Sequence, residues 1–157
     1  MKKFHHCGYL LIFLTVGFLG CKAVFYSHDP GLAECTALNF SKALLIKKNL
    51  SDALSRGSNE LRLIPKNKVL EAVKQMHPNK FPDTLKPVIY QIYPALNRID
   101  VFIIGSNQNI EKFIYKLQIV GDVTSKYKVI GIFRITKPPE LSNLVLEGEP
   151  KHCNPTD

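Results

Sequence analysis

The chain has 157 residues, of which 45% are hydrophobic and 22% are charged, and its formal net charge is +8. This composition is ordinary for a globular protein and excludes a disordered or low-complexity chain. A basic protein of this size is attracted to anionic partners such as lipid headgroups, cell-wall polymers or acidic protein faces. Because the lysines are scattered and no RNP-like, zinc-finger or helix-turn-helix motif occurs, nucleic-acid binding is not expected.

Residues 1–20 have the layout of a secretion signal. Lys2 and Lys3 form a basic start, and an apolar run follows from Gly8 to Gly20. A run of about 13 residues covers roughly 20 Å as a helix, whereas the hydrocarbon core of a bilayer is about 30 Å thick. A cleaved leader is therefore predicted, with an uncleaved anchor as an alternative.

The end of this leader, Phe18 to Cys21, resembles the bacterial lipobox, in which a small residue precedes a cysteine that receives acyl chains such as palmitate. The resemblance implies lipid attachment at Cys21. Phe18 and Leu19 differ from the usual leucine and small residue, which leaves ordinary secretion of a soluble protein as the second reading. In bacterial lipoproteins an aspartate after the cysteine retains the protein at the inner membrane. Lys22 stands here, so the resemblance points to the outer membrane, facing the periplasm.

Two cysteines remain available for a disulfide after the leader is removed and Cys21 is acylated. Loss of Lys2 and Lys3 lowers the net charge of +8 by two, to about +6. In an oxidising compartment, Cys35 and Cys153 are expected to form a disulfide, and two unpaired thiols are the alternative. No metal site is predicted, because His152 and Cys153 lack a second ligand pair.

A single domain is predicted over residues 32–157, after a tether over residues 21–31 that contains a turn at 28–31. Apolar residues recur at spacings of three and four from Leu32 to Arg56, which predicts one long helix or two helices joined near Asn49. A further helix is predicted between Pro65 and Pro78. Its apolar stripe consists of Val69, Leu70, Val73 and Met76.

The apolar period changes to two after Pro87, which predicts strands. The predicted strands are Val88–Tyr93, Arg98–Gly105, Ile110–Val120 and Lys126–Thr136. The third also fits a helical stripe, and we choose strand. Residues 78–87 contain three prolines and are predicted to be an extended connection, and residues 121–125 to be a hairpin loop. The tail to Asp157 is expected to be irregular.

Helices followed by a meander of three to four strands predict an α+β domain in which amphipathic helices cover one face of an antiparallel sheet. Cystatin-like and NTF2-like folds have this order of elements, and the likeness carries no function. The predicted sheet is rich in aromatic residues, most of which are expected to fill the core while the rest line a pocket or a docking surface. They are Tyr90, Tyr93, Phe102, Phe113, Tyr115, Tyr127 and Phe133.

The sequence lacks the common motifs for a nucleophile, a catalytic metal or a phosphate cradle, so no cofactor and no enzymatic activity are predicted. His77 is interpreted as a cationic helix-terminal residue, with general base as the minor reading. Arg98 and Asp100 are expected to form a solvated ion pair, and Ser106 to be a turn residue.

The leading hypothesis is a non-enzymatic lipoprotein of the bacterial envelope that acts as an accessory or assembly factor and binds another envelope protein. The alternative is a periplasmic module of NTF2-like type that holds a small apolar or anionic ligand between sheet and helices. An enzyme of unfamiliar type is the third possibility. A flat apolar patch would favour the first, a deep cavity the second, and convergent polar groups the third.

Overall fold

The structure, a computed structural model, describes residues 26–77, 80–93, 96–108, 112–136 and 153. The predicted leader and Cys21 lie outside these residues. The helical elements are α1 (Pro30–Ser41), a π-helical turn (Lys42–Ile46), α2 (Leu50–Ser55), α3 (Asn59–Leu63) and α4 (Lys66–Met76). The strands are β1 (Thr84–Tyr93), β2 (Arg98–Ser106), β3 (Lys112–Val120) and β4 (Lys128–Ile135). The described strands pair in the order β1-β2-β3-β4, and each pair is antiparallel.

The predicted α+β class, with helices packed on an antiparallel sheet, is confirmed. Helix α1 contacts all four strands and carries small residues toward them. Alternate residues of the two central strands point to this side, as the two-residue period predicted. The centre of the core consists of Ala33, Ala37, Phe40, Ile99, Val101, Ile103, Tyr115, Leu117 and Ile119. The likeness to cystatin-like and NTF2-like folds remains a resemblance in the order of elements.

Residues 28–31, predicted as a turn within the tether, are instead the N-cap and first turn of α1. The Asp29 carboxylate accepts a hydrogen bond from the Leu32 N–H at 3.2 Å, and Pro30 occupies the first turn, where its missing N–H costs nothing. The backbone N–H of Asp29 donates to the Tyr127 hydroxyl at 2.6 Å, and the carbonyl of Ser27 accepts from Val123 at 3.1 Å. The chain is therefore fastened to the domain from Ser27 rather than from residue 32.

The helical region that follows confirms the alternative of two helices joined near Asn49. The π-helical turn closes with a bond from the Lys47 N–H to the Lys42 carbonyl at 2.9 Å. A new helix, α2, then starts at Asn49, whose side chain accepts from the Asp52 N–H at 3.1 Å. The short helix α3, capped by Ser58, was not predicted.

Strand β1 starts inside the segment predicted as an extended connection. Pro87 is a strand residue, and the register between β1 and β2 shifts immediately after it. A strand accepts proline at such an irregularity because no ladder hydrogen bond is lost there. Residues 112–120 form a strand, so the choice of strand over helix is confirmed for them. The hairpin loop also forms as predicted, with Gly121 at a φ of +112°.

Candidate docking groove

Helix α4 and strand β4 form the two walls of an open groove with a volume of about 770 Å³. Its apolar lining includes Leu44, Ile64, Val69, Met76, Ile132 and Phe133. The wall formed by β4 is continuous, since Ile130 and the next four residues all contribute to it. Neighbouring residues of a strand point to opposite faces, so a cavity that is lined by five in succession runs along the outer edge of the strand.

The stripe predicted for α4 explains the other wall. Val73 is buried and Val69 is half-buried, and both line the groove together with Met76. Leu70, which was predicted on the same stripe, is 47% exposed. At the end of α4 the Arg134 guanidinium of β4 donates to the Met76 carbonyl at 2.6 Å. This bond satisfies one of the free carbonyls of the helix terminus and ties the two walls together.

Large apolar side chains remain in contact with solvent along the groove. Ile64 is 42% exposed and Ile130 is 37% exposed. Phe133 is 48% exposed, but it stands opposite Lys116 in the ladder, so its side chain lies on the face of the sheet away from α4 and only its main chain borders the groove. Single exposed apolar residues are common on protein surfaces, but a contiguous group beside a concavity is typical of a binding site. The ring of Phe133 lies over Gly131, where an added Cβ would meet ring carbons at 3.0 and 3.1 Å.

The charged side chains among the described lining residues, Lys68 and Arg134, are both cationic. Lys68 contacts Glu71 at 3.5 Å, but both side chains are largely exposed, and such a surface pair is weak. The neighbouring cations Lys66 and Lys74 on α4 are also exposed. The groove is therefore apolar inside and positive at its rim.

His77 ends α4, as the sequence predicted, but it is buried there instead of exposed, and burial disfavours the cationic form that the sequence suggested. Its side chain is only 3% exposed, and it lies between Phe81 and Phe113, with ring centroids at 5.1 and 5.2 Å. The Lys80 carbonyl can only accept, so Nδ1 carries the proton and donates to it at 3.1 Å. The Tyr115 hydroxyl then donates to Nε2 at 2.9 Å.

Both groups of this pair are held neutral. Burial lowers the pKa of His77, and the nearby Arg134 guanidinium lowers it further, while the bond to Lys80 acts in the opposite direction. Burial raises the pKa of the Tyr115 hydroxyl. Since both ring nitrogens of His77 are used in internal bonds, the pair fixes the end of α4 against the sheet.

The ion pair of Arg98 and Asp100 forms, but it is not solvated as predicted. The Asp100 side chain is 0% exposed, and its oxygens lie 3.1 Å from Arg98 Nε and 2.8 Å from Lys116 Nζ. The Arg98 guanidinium also lies 4.4 Å from the centroid of the Tyr93 ring. Lys116 stands diagonally across the β2–β3 ladder from Asp100, where long side chains reach each other.

The remaining predicted site residues are located as follows. Cys35 and Cys153 are joined by a disulfide across 118 positions of the chain, with Cα atoms 5.2 Å apart. Ser106, interpreted as a turn residue, is the last residue of β2, and its hydroxyl bonds that of Thr84 at 2.7 Å. Cys21 lies outside the described residues, so lipid attachment there stays a prediction.

A second, polar cavity of about 380 Å³ lies beside the α2–α3 junction. The cations of its lining are Lys126 and Lys128, and Lys128 Nζ lies 3.5 Å from the Ser55 carbonyl. The side chain of Arg62, which is not part of the lining, donates to the carbonyls of Leu54 and Ser55 at 3.1 and 2.6 Å. Burial lowers the pKa of Lys128, and the nearby cations, Arg62 first, lower it further. These residues complete the C-terminus of α2.

Comparison with known proteins gave no match to a family model, a curated sequence or a solved structure. Within the described ranges, no helix has the length and hydropathy that crossing a membrane requires. The same ranges hold no cluster of three or more potential metal ligands from histidine, cysteine, aspartate and glutamate.

Sequence reasoning found only part of the groove. It identified the helical stripe of α4. It also named Phe133 among the aromatics from which a docking surface was expected, but the ring of Phe133 lies on the face of the sheet away from α4. It missed Ile64 and Ile130, because the first follows a helix that was not predicted and the second lies beside a register irregularity in β4. It also missed Lys116, which reaches Asp100 only when β2 and β3 are aligned.

Proposed function

We propose that this protein is a lipid-anchored, non-enzymatic factor of the bacterial envelope that binds another envelope protein through the groove between α4 and β4. The observation that carries the binding role is the row of half-exposed apolar side chains along a basic-rimmed concavity. Among the described residues these side chains stay partly exposed, and a partner that covers them would gain the free energy of burying apolar surface.

The anchored location is supported by the sequence before the domain. The predicted leader and the lipobox-like stretch around Cys21 place the acyl chains a few residues before Tyr26, where the described chain begins. Two or more acyl chains give stable membrane attachment, since each buried CH₂ contributes about 0.8 kcal/mol. Lys22 favours the outer membrane, on its periplasmic side.

Anchoring is tested by growing cells with radiolabelled palmitate and isolating the full chain. We expect label on the wild type and none on the Cys21→Ser variant, which should also retain the leader in an intact-mass measurement. Label on both chains, or an unmodified Cys21 in the wild type, would remove the anchoring part of the proposal.

Partner binding is tested by placing a photo-crosslinking amino acid at Ile64 in cells, since Ile64 lines the groove and is 42% exposed. Leu96 is the matched control, since it is 61% exposed and does not line the groove. A single envelope protein crosslinked from position 64 and not from position 96 is expected. Equal crosslinking from both positions, or none from either, would contradict the groove as the binding surface.

A small-ligand module is the second candidate. The volume of about 770 Å³ falls within the range of about 300 to 1,000 Å³ that is typical of ligand pockets. Such pockets enclose most of the surface of their ligand, however, and the half-exposed walls of this groove do not. A tightly bound lipid or metabolite that is released on denaturation of the purified protein would favour this second function.

A further inference from the structure

One end of the domain combines the point where the chain enters with exposed apolar side chains. This attachment end consists of residues 27–32, 96–97 and 121–127. We propose that it contacts the lipid surface directly and inserts Leu32, Leu96 and Val123 into the membrane interface beside the acyl chains of Cys21. The inference rests on the anchoring part of the proposed function and goes beyond it, because it gives the domain one orientation on the membrane.

The strand pairing brings two loops together at this end. Because all strand pairs are antiparallel, the connection from β1 to β2 and the connection from β3 to β4 lie at the same end of the sheet. The Gly121 N–H donates to the Asn97 carbonyl at 3.3 Å, which joins the two loops. The Ser27 carbonyl accepts from the N–H of Val123 in the second loop at 3.1 Å. The chain therefore enters the domain beside both loops.

Three segments of the attachment end each expose a large apolar side chain. Leu96 in the first loop is 61% exposed, Val123 in the second loop 50%, and Leu32 in the first turn of α1 38%. Such residues are common singly, so their shared position around the chain entry carries the argument. At the opposite end of the sheet the exposed Gln108 follows β2, and its N–H donates to the Asp83 carboxylate at 2.9 Å. Among the described residues, the loop tips are thus apolar at the attachment end and polar at the other.

The distance from this end to the acylated cysteine is short. The six residue steps from Cys21 to Ser27 span at most about 22 Å when fully extended. Interfacial segments bury their apolar groups about 5 to 10 Å into the boundary between headgroups and acyl chains, a depth that side chains on loop tips can reach. The anchor holds these tips at a high effective concentration beside the lipid, so weak apolar contacts suffice to orient the domain.

The charges of the attachment end favour apolar contact over electrostatic attraction. Lys126 and Lys128 line the polar cavity together with Glu60, and Asp122 lies in the same loop as Lys126. A polybasic surface would depend strongly on anionic lipid, whereas this mixture of cations and carboxylates gives anionic lipid little advantage. We therefore expect the same contact with zwitterionic and with anionic membranes.

The probe for this proposal is a single tryptophan in the acylated full chain, whose natural sequence contains none. Val123→Trp reports on the attachment end, and Gln108→Trp is the matched control at the opposite end. Each chain is bound to vesicles of phosphatidylcholine, alone or mixed with phosphatidylglycerol, and bromine atoms on the acyl chains of the lipid act as the quencher. The intact mass of each sample shows whether Cys21 is acylated.

We expect the brominated lipid to lower the fluorescence at position 123 about twofold in both lipid mixtures and to leave position 108 unchanged. Tryptophan itself favours the interface, so the contribution of the native residues is measured by a further substitution. Adding Leu96→Ser to Val123→Trp should remove about half of the quenching. Adding Leu70→Ser on α4, where the side chain is 47% exposed, should leave the quenching unchanged. All these positions are exposed, so the variants should stay folded, and their unfolding curves check this.

Each other outcome overturns the inference. Equal quenching at positions 123 and 108 would show that the domain has no preferred orientation, and quenching at neither would show that it stays away from the lipid. Quenching that requires phosphatidylglycerol would indicate attraction to charge, and quenching that is insensitive to Leu96→Ser would be an effect of the added tryptophan. With acylated Cys21 in the mass, these results leave the anchoring intact. An unmodified Cys21 would instead remove the proposed anchoring and this inference together.

Discussion

The buried ion triad of Arg98, Asp100 and Lys116 leads to an asymmetric prediction. The carboxylate is 0% exposed, whereas the two cations are 24% and 29% exposed and reach water. Removing both cations leaves a charge in the interior with no counter-charge, and breaking a buried pair in this way costs about 3 to 5 kcal/mol. Removing the charge of Asp100 leaves two partly exposed cations that water can solvate, so we expect a loss of only about 1 kcal/mol from the two lost ion-pair contacts.

The measurement is urea unfolding of four chains: wild type, Asp100→Asn, the double variant Arg98→Met with Lys116→Met, and the triple variant. Methionine keeps most of the apolar length of both side chains, so packing changes little. The double variant should be the least stable, and adding Asp100→Asn to it should recover at least half of the loss. The reasoning is refuted when Asp100→Asn costs as much as the double variant, or when the third substitution recovers nothing.

Two further changes address the disulfide and the histidine. Replacing Cys153 with serine opens a loop of 118 positions and should lower the unfolding free energy by about 4 to 5 kcal/mol in the chain-entropy model. Reduction of the wild type is its matched control, and a loss below about 1 kcal/mol in either experiment would contradict a structural role for the bond. The fold lowers the pKa of His77 from its ordinary value of 6.5, so the unfolded chain takes up this proton at a higher pH than the folded chain does. The contribution of His77 to stability should therefore be complete above pH 6.5 and should decrease as the pH falls toward the pKa of the folded state. His77→Gln should remove this part of the pH dependence in urea titrations, and identical pH profiles for the two chains would refute the assignment.

The strands were largely predictable because β-branched and aromatic residues alternate there with polar ones. The exception is the start of β1, where Pro87 argued against a strand. Proline only removes one hydrogen-bond donor, and the register shift after it accommodates that loss. Helix α3 was missed because it has five residues and none of them is buried, so it leaves no apolar period in the sequence.

The polar residues were harder to predict because their environment depends on distant parts of the chain. His77 looks like a helix-terminal cation until Tyr115, which is 38 positions away, is placed against its ring. The sequence suggests that Asp100 is solvated, whereas in the fold Lys116 of the next strand contacts the buried Asp100 carboxylate. A single sequence shows local spacing only, and both environments arise from the alignment of β3 with its neighbours.

The attachment of the chain near Ser27 also determines which end of the domain would lie near the membrane if Cys21 carries the anchor. Ser27 and Asp29 bond to Val123 and Tyr127, which lie in or beside the loop that leads into β4. The few residues between Cys21 and this point span at most about 3.6 Å each, so that end of the domain would lie close to the membrane. The eight residues of β4 extend the strand by roughly 26 Å from there. The end of the groove at Ile130, close to the start of β4, would then be its end nearer to the attachment point.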